Sequence, residues 1–130
     1  MDHPKMIAIG IGCRSGTRKE VIILLIRDTL ARESLPVHGA TLFTYEGKKN
    51  EAGLVAAAEA LTLPLRFLSL EALRAVADKI TIRSEAAQNA LGLPSVAEAA
   101  ALAGAGEGAR LLVPRIKGEG ATCAIAEGDG

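Results

Sequence analysis

Three short apolar runs, Met6-Ile7-Ala8-Ile9-Gly10, Ala40-Thr41-Leu42-Phe43-Thr44-Tyr45 and Leu65-Arg66-Phe67-Leu68, each lead into a stretch with helical character. This alternation constrains the fold more than any other feature of the chain. Short runs of this kind suit buried strands, and strands separated by helices become parallel neighbours joined by right-handed crossovers. The first helix opens at Thr17-Arg18-Lys19-Glu20, which has the form of a capping box, and runs to about Arg32 with Pro36 beyond it. Val21–Ile26 is apolar nearly all round, which predicts burial on more than one side. The second helix is expected from Glu51 to about Leu61 with Asn50 as its N-cap, and the third begins behind the cap Ser69.

The second half reads differently. Asp78–Arg83 is irregular or weakly extended, Ser84–Leu91 is a short helix capped by Ser84 and stopped by Gly92, and Ser95-Val96-Ala97-Glu98 is a capping box opening an alanine-rich helix. Gly104, Gly106 and Gly108 end that helix in a mobile link. Leu111–Ile116 and Ala121–Ala126 form a hairpin through Lys117-Gly118-Glu119-Gly120, and Pro114, lacking an amide hydrogen, places its strand at an edge or a bulge. The expected fold is α/β. It is a single three-layer domain over residues 1–130, with a mixed, mainly parallel sheet of about five strands flanked by helices and a C-terminal β-hairpin. Hydrophobic residues make up 49% of the chain, but only Phe43, Tyr45 and Phe67 are aromatic, so Leu, Ile, Val and Ala must build the core.

Fifteen basic residues balance fifteen acidic ones, so no overall field draws the chain to nucleic acid or to an anionic membrane, and the scarcity of aromatic residues removes stacking platforms. Cys13 and Cys123 form no C-x-x-C pair, and with only His3 and His38 beside them no metal site and no resident cofactor is expected. The apolar run after Lys5 is too short for a signal h-region or a membrane span, which points to a soluble cytoplasmic protein.

Chemistry concentrates where the first strand gives way to the first helix. Gly10-Ile11-Gly12-Cys13-Arg14-Ser15-Gly16-Thr17 reads as a glycine-punctuated loop at a helix N-terminus, with Arg14 beside free backbone donors. Its glycine spacing is G-x-G-x-x-x-G and no lysine follows Gly16, so it matches neither the dinucleotide fingerprint nor the P-loop. A carboxylate or phosphate suits it. Cys13 could serve as a nucleophile there, but no base is in sight, and the catalytic residues stay unknown. Lys48 and Lys49 follow the second strand, at the sheet end where open α/β folds bind ligands. Glu51, Glu98 and Ser84 are explained by helix capping.

Taken together, Gly10–Gly16, Glu51-Ala52-Gly53-Leu54, Leu63–Ser69, Ser95-Val96-Ala97-Glu98-Ala99-Ala100-Ala101-Leu102 and Leu112-Val113-Pro114-Arg115 resemble the CobE/CbiG C-terminal domain family of cobalamin biosynthesis, from about Ile7 to Ala126. The resemblance implies a role in building the corrin ring of vitamin B12. Its ligand would be a precorrin or corrin intermediate, an acidic tetrapyrrole, with Gly12, Cys13, Arg14, Ser15, Gly16, Thr17 and Lys48 as the binding residues. Three roles follow from it: an accessory or carrier protein of the aerobic pathway, a hydrolase that opens the lactone of a cobalt-precorrin-5-type intermediate with release of acetaldehyde, or an interaction module docking on other cobalamin-biosynthesis enzymes. The alanine-rich helices and an edge strand leave a homodimer open.

Overall fold

In the computed structural model, which describes residues 5–81, 91–93 and 95–130, the first strand is longer than its apolar run. β1 spans Met6–Cys13 and carries Gly10 and Gly12 inside it. The two glycines therefore belong to the strand and not to the loop expected there. Neither has positive φ; their use is the absence of a side chain. A β-carbon on Gly10 would stand 1.9 Å from the carbonyl oxygen of Ala97, and one on Gly12 would stand 2.9 Å from the Thr122 hydroxyl. A helix can thus lie almost directly on the strand.

The remaining elements are α1 (Lys19–Ala31), β2 (Thr41–Tyr45), α2 (Ala52–Leu61), β3 (Leu65–Leu68), α3 (Leu70–Arg74), α4 (Val96–Ala105), β4 (Arg110–Lys117) and β5 (Ala121–Gly128), with single 3-10 turns at Glu46–Lys48 and Ala77–Lys79. They form the mixed five-stranded α/β sheet expected, in the order β3-β2-β1-β5-β4. β1 pairs in parallel with β2, and β2 with β3. β5 runs antiparallel to both β1 and β4.

The alternation of side chains along each strand divides the core in two. On one face Ile9, Ile11, Cys123 and Ile125 pack under α1 and α2 against Ile22, Ile26, Leu54 and Ala57. On the other, Ala8, Ala124 and Ala126 meet Ala97, Ala100 and Ala101 of α4, with Phe43, Leu73 and Leu93 around them. Small residues on both sides of that contact set the short separation of α4 from the sheet. Those alanines are buried within the protomer, so they offer no free surface for a second copy.

Several local expectations change. Val21 and Ile23 are half-buried and Leu24 is 62% exposed, so α1 buries one stripe and not more than one side. The N-cap of α1 is Arg18, without a side-chain bond, because the Thr17 hydroxyl is drawn to backbone carbonyls instead. Glu51, not Asn50, occupies the N-cap of α2. Ser69 and Ser95 do cap their helices, accepting from the amides of Ala72 and Glu98 at 3.1 and 3.2 Å. Gly104 lies within the last turn of α4 against the Phe43 ring, and Gly106, at φ +80°, ends it. The turn is bonded to the chain's end, where Gly130 N–H donates to Ala105 and Asp129 N–H to Glu107, each at 2.8 Å. β4 is an edge strand whose register shifts on both sides of Val113, next to Pro114, as the missing amide hydrogen requires. Ser84 and all of its expected helix except Leu91 lie outside the described residues.

Candidate functional site

β1 is flanked by a parallel neighbour on one side and an antiparallel one on the other, and a cleft of about 370 Å³ opens beside its C-terminal end. Crevices form at such points because the connections leave the sheet in different directions. One wall is the end of β1, with Gly12, Cys13 and Arg14; Lys48 reaches in from the turn after β2. The opposite wall is the β4–β5 hairpin, contributing Arg115, Lys117, Gly118, Gly120, Ala121 and Thr122, and the N-terminus of α4 supplies Ser95 and Val96 with Leu91 beside them.

The two walls are tied together at the hairpin tip. The Arg14 amide donates to the Gly120 carbonyl at 2.8 Å, and the Thr17 hydroxyl lies 3.0 Å from that carbonyl and 2.8 Å from the Arg14 carbonyl. Thr17 N–H donates to Arg14 at 3.2 Å, and Gly16 N–H donates to the Glu51 carboxylate at 3.2 Å. Residues 14, 16 and 17 thus spend their amides on internal acceptors, and the loop fixes the position of Arg14 more than it offers a cradle of N–H groups. Gly12, Cys13, Arg14 and Lys48 line the cleft; Ser15, Gly16 and Thr17 do not. Ser15 is exposed, and Thr17 braces the walls.

Four basic side chains meet here in a chain of zero net charge. Lys48 pairs with Glu51 at 4.0 Å, whereas Arg14, Arg115 and Lys117 have no carboxylate partner among the described residues. The cleft is therefore locally cationic, with Leu91, Val96 and Ala121 as its apolar surface. Cys13 is a poor nucleophile in this setting. Burial pushes its thiol up from the ordinary value, with Glu51 adding to the rise, and Lys48 lowers it only in part. His38 is exposed, and no group of three His, Cys, Asp or Glu among the described residues could hold a metal ion.

Glu98 and Arg115 have contacts that the sequence reading did not assign to them. Glu98 is fully buried, and its carboxylate accepts from the Thr81 amide at 2.6 Å, from the Thr81 hydroxyl at 3.0 and 3.1 Å, and from the Arg115 amide at 2.9 Å. Arg115 lies in the irregular part of β4, and its Nε is sealed from solvent with no acceptor among the described residues. Apart from the capping box that includes Glu98, their signal in the sequence was their place in two motifs of the family resemblance, Ser95–Leu102 and Leu112–Arg115.

Comparison with known proteins agrees with this architecture. The family model described as cobalamin synthesis G C-terminus matches residues 7–126. Protein CobE of Sinorhizobium sp is 32% identical over 92% of this chain and 79% of its own length. A probable cobalt-precorrin-5A hydrolase of Methanocaldococcus jannaschii is 27% identical over 95% of this chain, which spans only 41% of that protein. The crystal structure of CobE, described as a protein from the cobalamin (vitamin B12) biosynthetic pathway, superposes with a TM-score of 0.91 at 32% identity, covering 98% of this chain and 93% of that one. Among the described residues no helix is long and apolar enough to cross a membrane.

Proposed function

Because this chain belongs to the cobalamin synthesis G C-terminal family, we propose that it binds a precorrin or corrin-ring intermediate in the cleft beside β1, as an accessory or carrier protein of cobalamin biosynthesis. The observation that carries the reading is the convergence of Arg14, Lys48, Arg115 and Lys117 on one partly apolar cleft. Intermediates of this class carry several acetate and propionate carboxylates around a wide apolar macrocycle. Guanidinium and ammonium groups hold such carboxylates by charge-assisted hydrogen bonds, and Leu91, Val96 and Ala121 offer contact to the ring. At about 370 Å³ the cleft lies at the small end of ligand pockets, so it takes one edge of the macrocycle and leaves the rest outside. A carrier that hands its ligand to the next enzyme needs such a partly exposed mode. In this reading the protein works in the cytoplasm, with the neighbouring enzymes as its transient partners.

Titration of the purified protein with corrin intermediates, followed by visible absorption, tests this. A saturable spectral change is expected, weakened about tenfold in Arg14→Ala if its guanidinium meets a carboxylate. No change with any intermediate would reject the reading. Similarity to the archaeal hydrolase favours a second reading, lactone opening with release of acetaldehyde, which a coupled acetaldehyde assay decides. We rank the carrier role first because no histidine or carboxylate stands among the described cleft-lining residues to act as a base beside Cys13, whose thiol burial disfavours as an anion. A complex with another pathway enzyme that forms on gel filtration without pigment would instead mark a docking module.

A further inference from the structure

Of the four cations that line the cleft, Lys48 is the one with a carboxylate partner among the described residues, and the fold holds the two partners unequally. Glu51 is fixed. Its amide donates to the Lys48 carbonyl at 3.0 Å, and its side chain leaves the N-cap of α2 without a bond in order to accept the Gly16 N–H at 3.2 Å through Oε2. Two residues on, the start of α2 lies so close to the loop before α1 that a β-carbon on Gly53 would overlap the Thr17 carbonyl oxygen. Neither the helix start nor its carboxylate is free to swing away from the loop. Lys48 is held by less. Its ammonium stands 4.0 Å from Oε1, the outer limit of an ion pair, at the end of a flexible four-carbon stem. The side chains stay partly exposed, at 28% for Lys48 and 18% for Glu51, so a solute in the cleft can reach the ammonium. Both charges also act on the Cys13 thiol, Lys48 lowering it and Glu51 raising it, which places the pair at the cleft end of β1.

We infer that Glu51 is the internal competitor for Lys48, and that an acid group of the ligand binds by taking the Lys48 ammonium over from it. The asymmetry of the pair carries this. A fixed carboxylate cannot follow the ammonium, whereas a flexible ammonium exchanges one carboxylate for another while Glu51 keeps the Gly16 amide. One ion pair is broken for each one made, so Lys48 contributes discrimination more than strength. A free carboxylate can displace Glu51, and a neutral amide or ester brings no charge with which to do so. On release Glu51 recaptures the ammonium, which keeps the hold reversible. The motif Glu51-Ala52-Gly53-Leu54 thereby has a use beyond starting a helix: Gly53 lets α2 dock on the loop, and Glu51 governs Lys48.

This inference rests on the binding reading above, and the test separates the two. Uroporphyrin, a tetrapyrrole polycarboxylic acid, is titrated into the full chain and its fluorescence followed. Glu51→Gln keeps an oxygen for Gly16 but removes the competing charge, and it is expected to bind about threefold to fivefold tighter than wild type, the worth of a partly exposed ion pair. In a Lys48→Met background the same change is expected to alter affinity by less than about 1.5-fold. A merely structural role for Glu51 would move the melting temperature and not this coupling. Equal gains in the two backgrounds, or no gain in Glu51→Gln, overturn the inference and leave the binding reading intact. Absence of uroporphyrin binding by the wild type overturns both. Acetylation of the wild-type lysines, read by mass spectrometry, decides even where a variant fails to fold. Uroporphyrin is expected to protect Lys48 severalfold and to leave Lys49, exposed beside it and outside the cleft lining, unchanged. Equal labelling of Lys48 with and without uroporphyrin overturns the inference.

Discussion

At Gly10 a β-carbon would stand 1.9 Å from the carbonyl oxygen of Ala97 and 2.5 Å from the amide nitrogen of Ala101, so the backbone of α4 sets the size of this residue. Flexible side chains can move aside, but a helix backbone cannot without leaving the sheet. Gly10→Ala is therefore expected to lose about 3 kcal/mol or more, the upper range for overpacked cores. Gly16 is the contrasting case, with φ +81° and nothing within 4 Å of a β-carbon, so Gly16→Ala should lose only about 1 kcal/mol through backbone strain. Urea denaturation of the two variants checks the order, and equal losses would show that α4 yields easily. The pair also explains why the sequence misled at this place. Glycine serves either by its freedom in φ or by having no side chain, and the letters do not distinguish these uses. Gly16 is needed for the first and Gly10 for the second, and only the distance from α4 to β1 tells them apart.

At the scale of elements, a cap was legible wherever nothing distant competed for it. Ser69 and Ser95 bond the amide three residues on, as a local rule requires. Thr17 obeyed no such rule because the Gly120 carbonyl, brought beside it by the β1–β5 pairing, accepts its hydroxyl. Glu51 likewise turns toward Gly16 and Lys48. The same distinction divides the cleft. Its Gly12–Arg14 wall is contiguous and could be read from the sequence, while Arg115, Lys117 and Gly120 arrive from far along the chain through sheet pairing. Glu98 was explained as a helix-start carboxylate, yet its acceptor oxygens serve Thr81 and Arg115, each 17 residues away. The consequence can be measured. Ser95→Ala should lose about 1 kcal/mol, the ordinary worth of an N-cap. Glu98→Ala, which deprives the Thr81 and Arg115 amides of their acceptor, should lose about 3 kcal/mol, and Glu98→Gln, which keeps one oxygen, less than that. If Glu98→Ala lost no more than Ser95→Ala in denaturant midpoint, the carboxylate would be acting only as a helix-start charge.

For the molecule as a whole, the alternation of runs and helices specified the parallel β1, β2 and β3, and Pro114 kept β4 at the edge. What the pattern did not contain was the insertion of β5 between β4 and β1, because a hairpin signal does not say which of its strands faces the sheet. That placement makes Cys123 a central residue, fully buried beside Ile11 on the α1 side, with its thiol pushed up by burial from 9.0 to about 12 although Thr29 lowers it somewhat. Stability must depend on this in alkali. Above about pH 9 the unfolded chain loses the Cys123 proton while the folded protein keeps it, so the unfolded state binds fewer protons and stability falls as pH rises. The contribution is intact below the unfolded value and declines by up to about 1.4 kcal/mol per pH unit between the two values. Burial raises the Cys13 thiol as well, but its contribution is common to wild type and Cys123→Ala and cancels in the comparison. Cys123→Ala should be less stable near neutral pH, where it leaves a small cavity, by about 1–2 kcal/mol. The gap should narrow as unfolding free energies are measured from about pH 8 to about pH 10, where the wild type alone pays the thiol's deprotonation in its unfolded state. Parallel curves across that range would mean that the thiol ionises as readily in the folded protein as in the unfolded one, and that the sheet centre between α1 and β5 admits water.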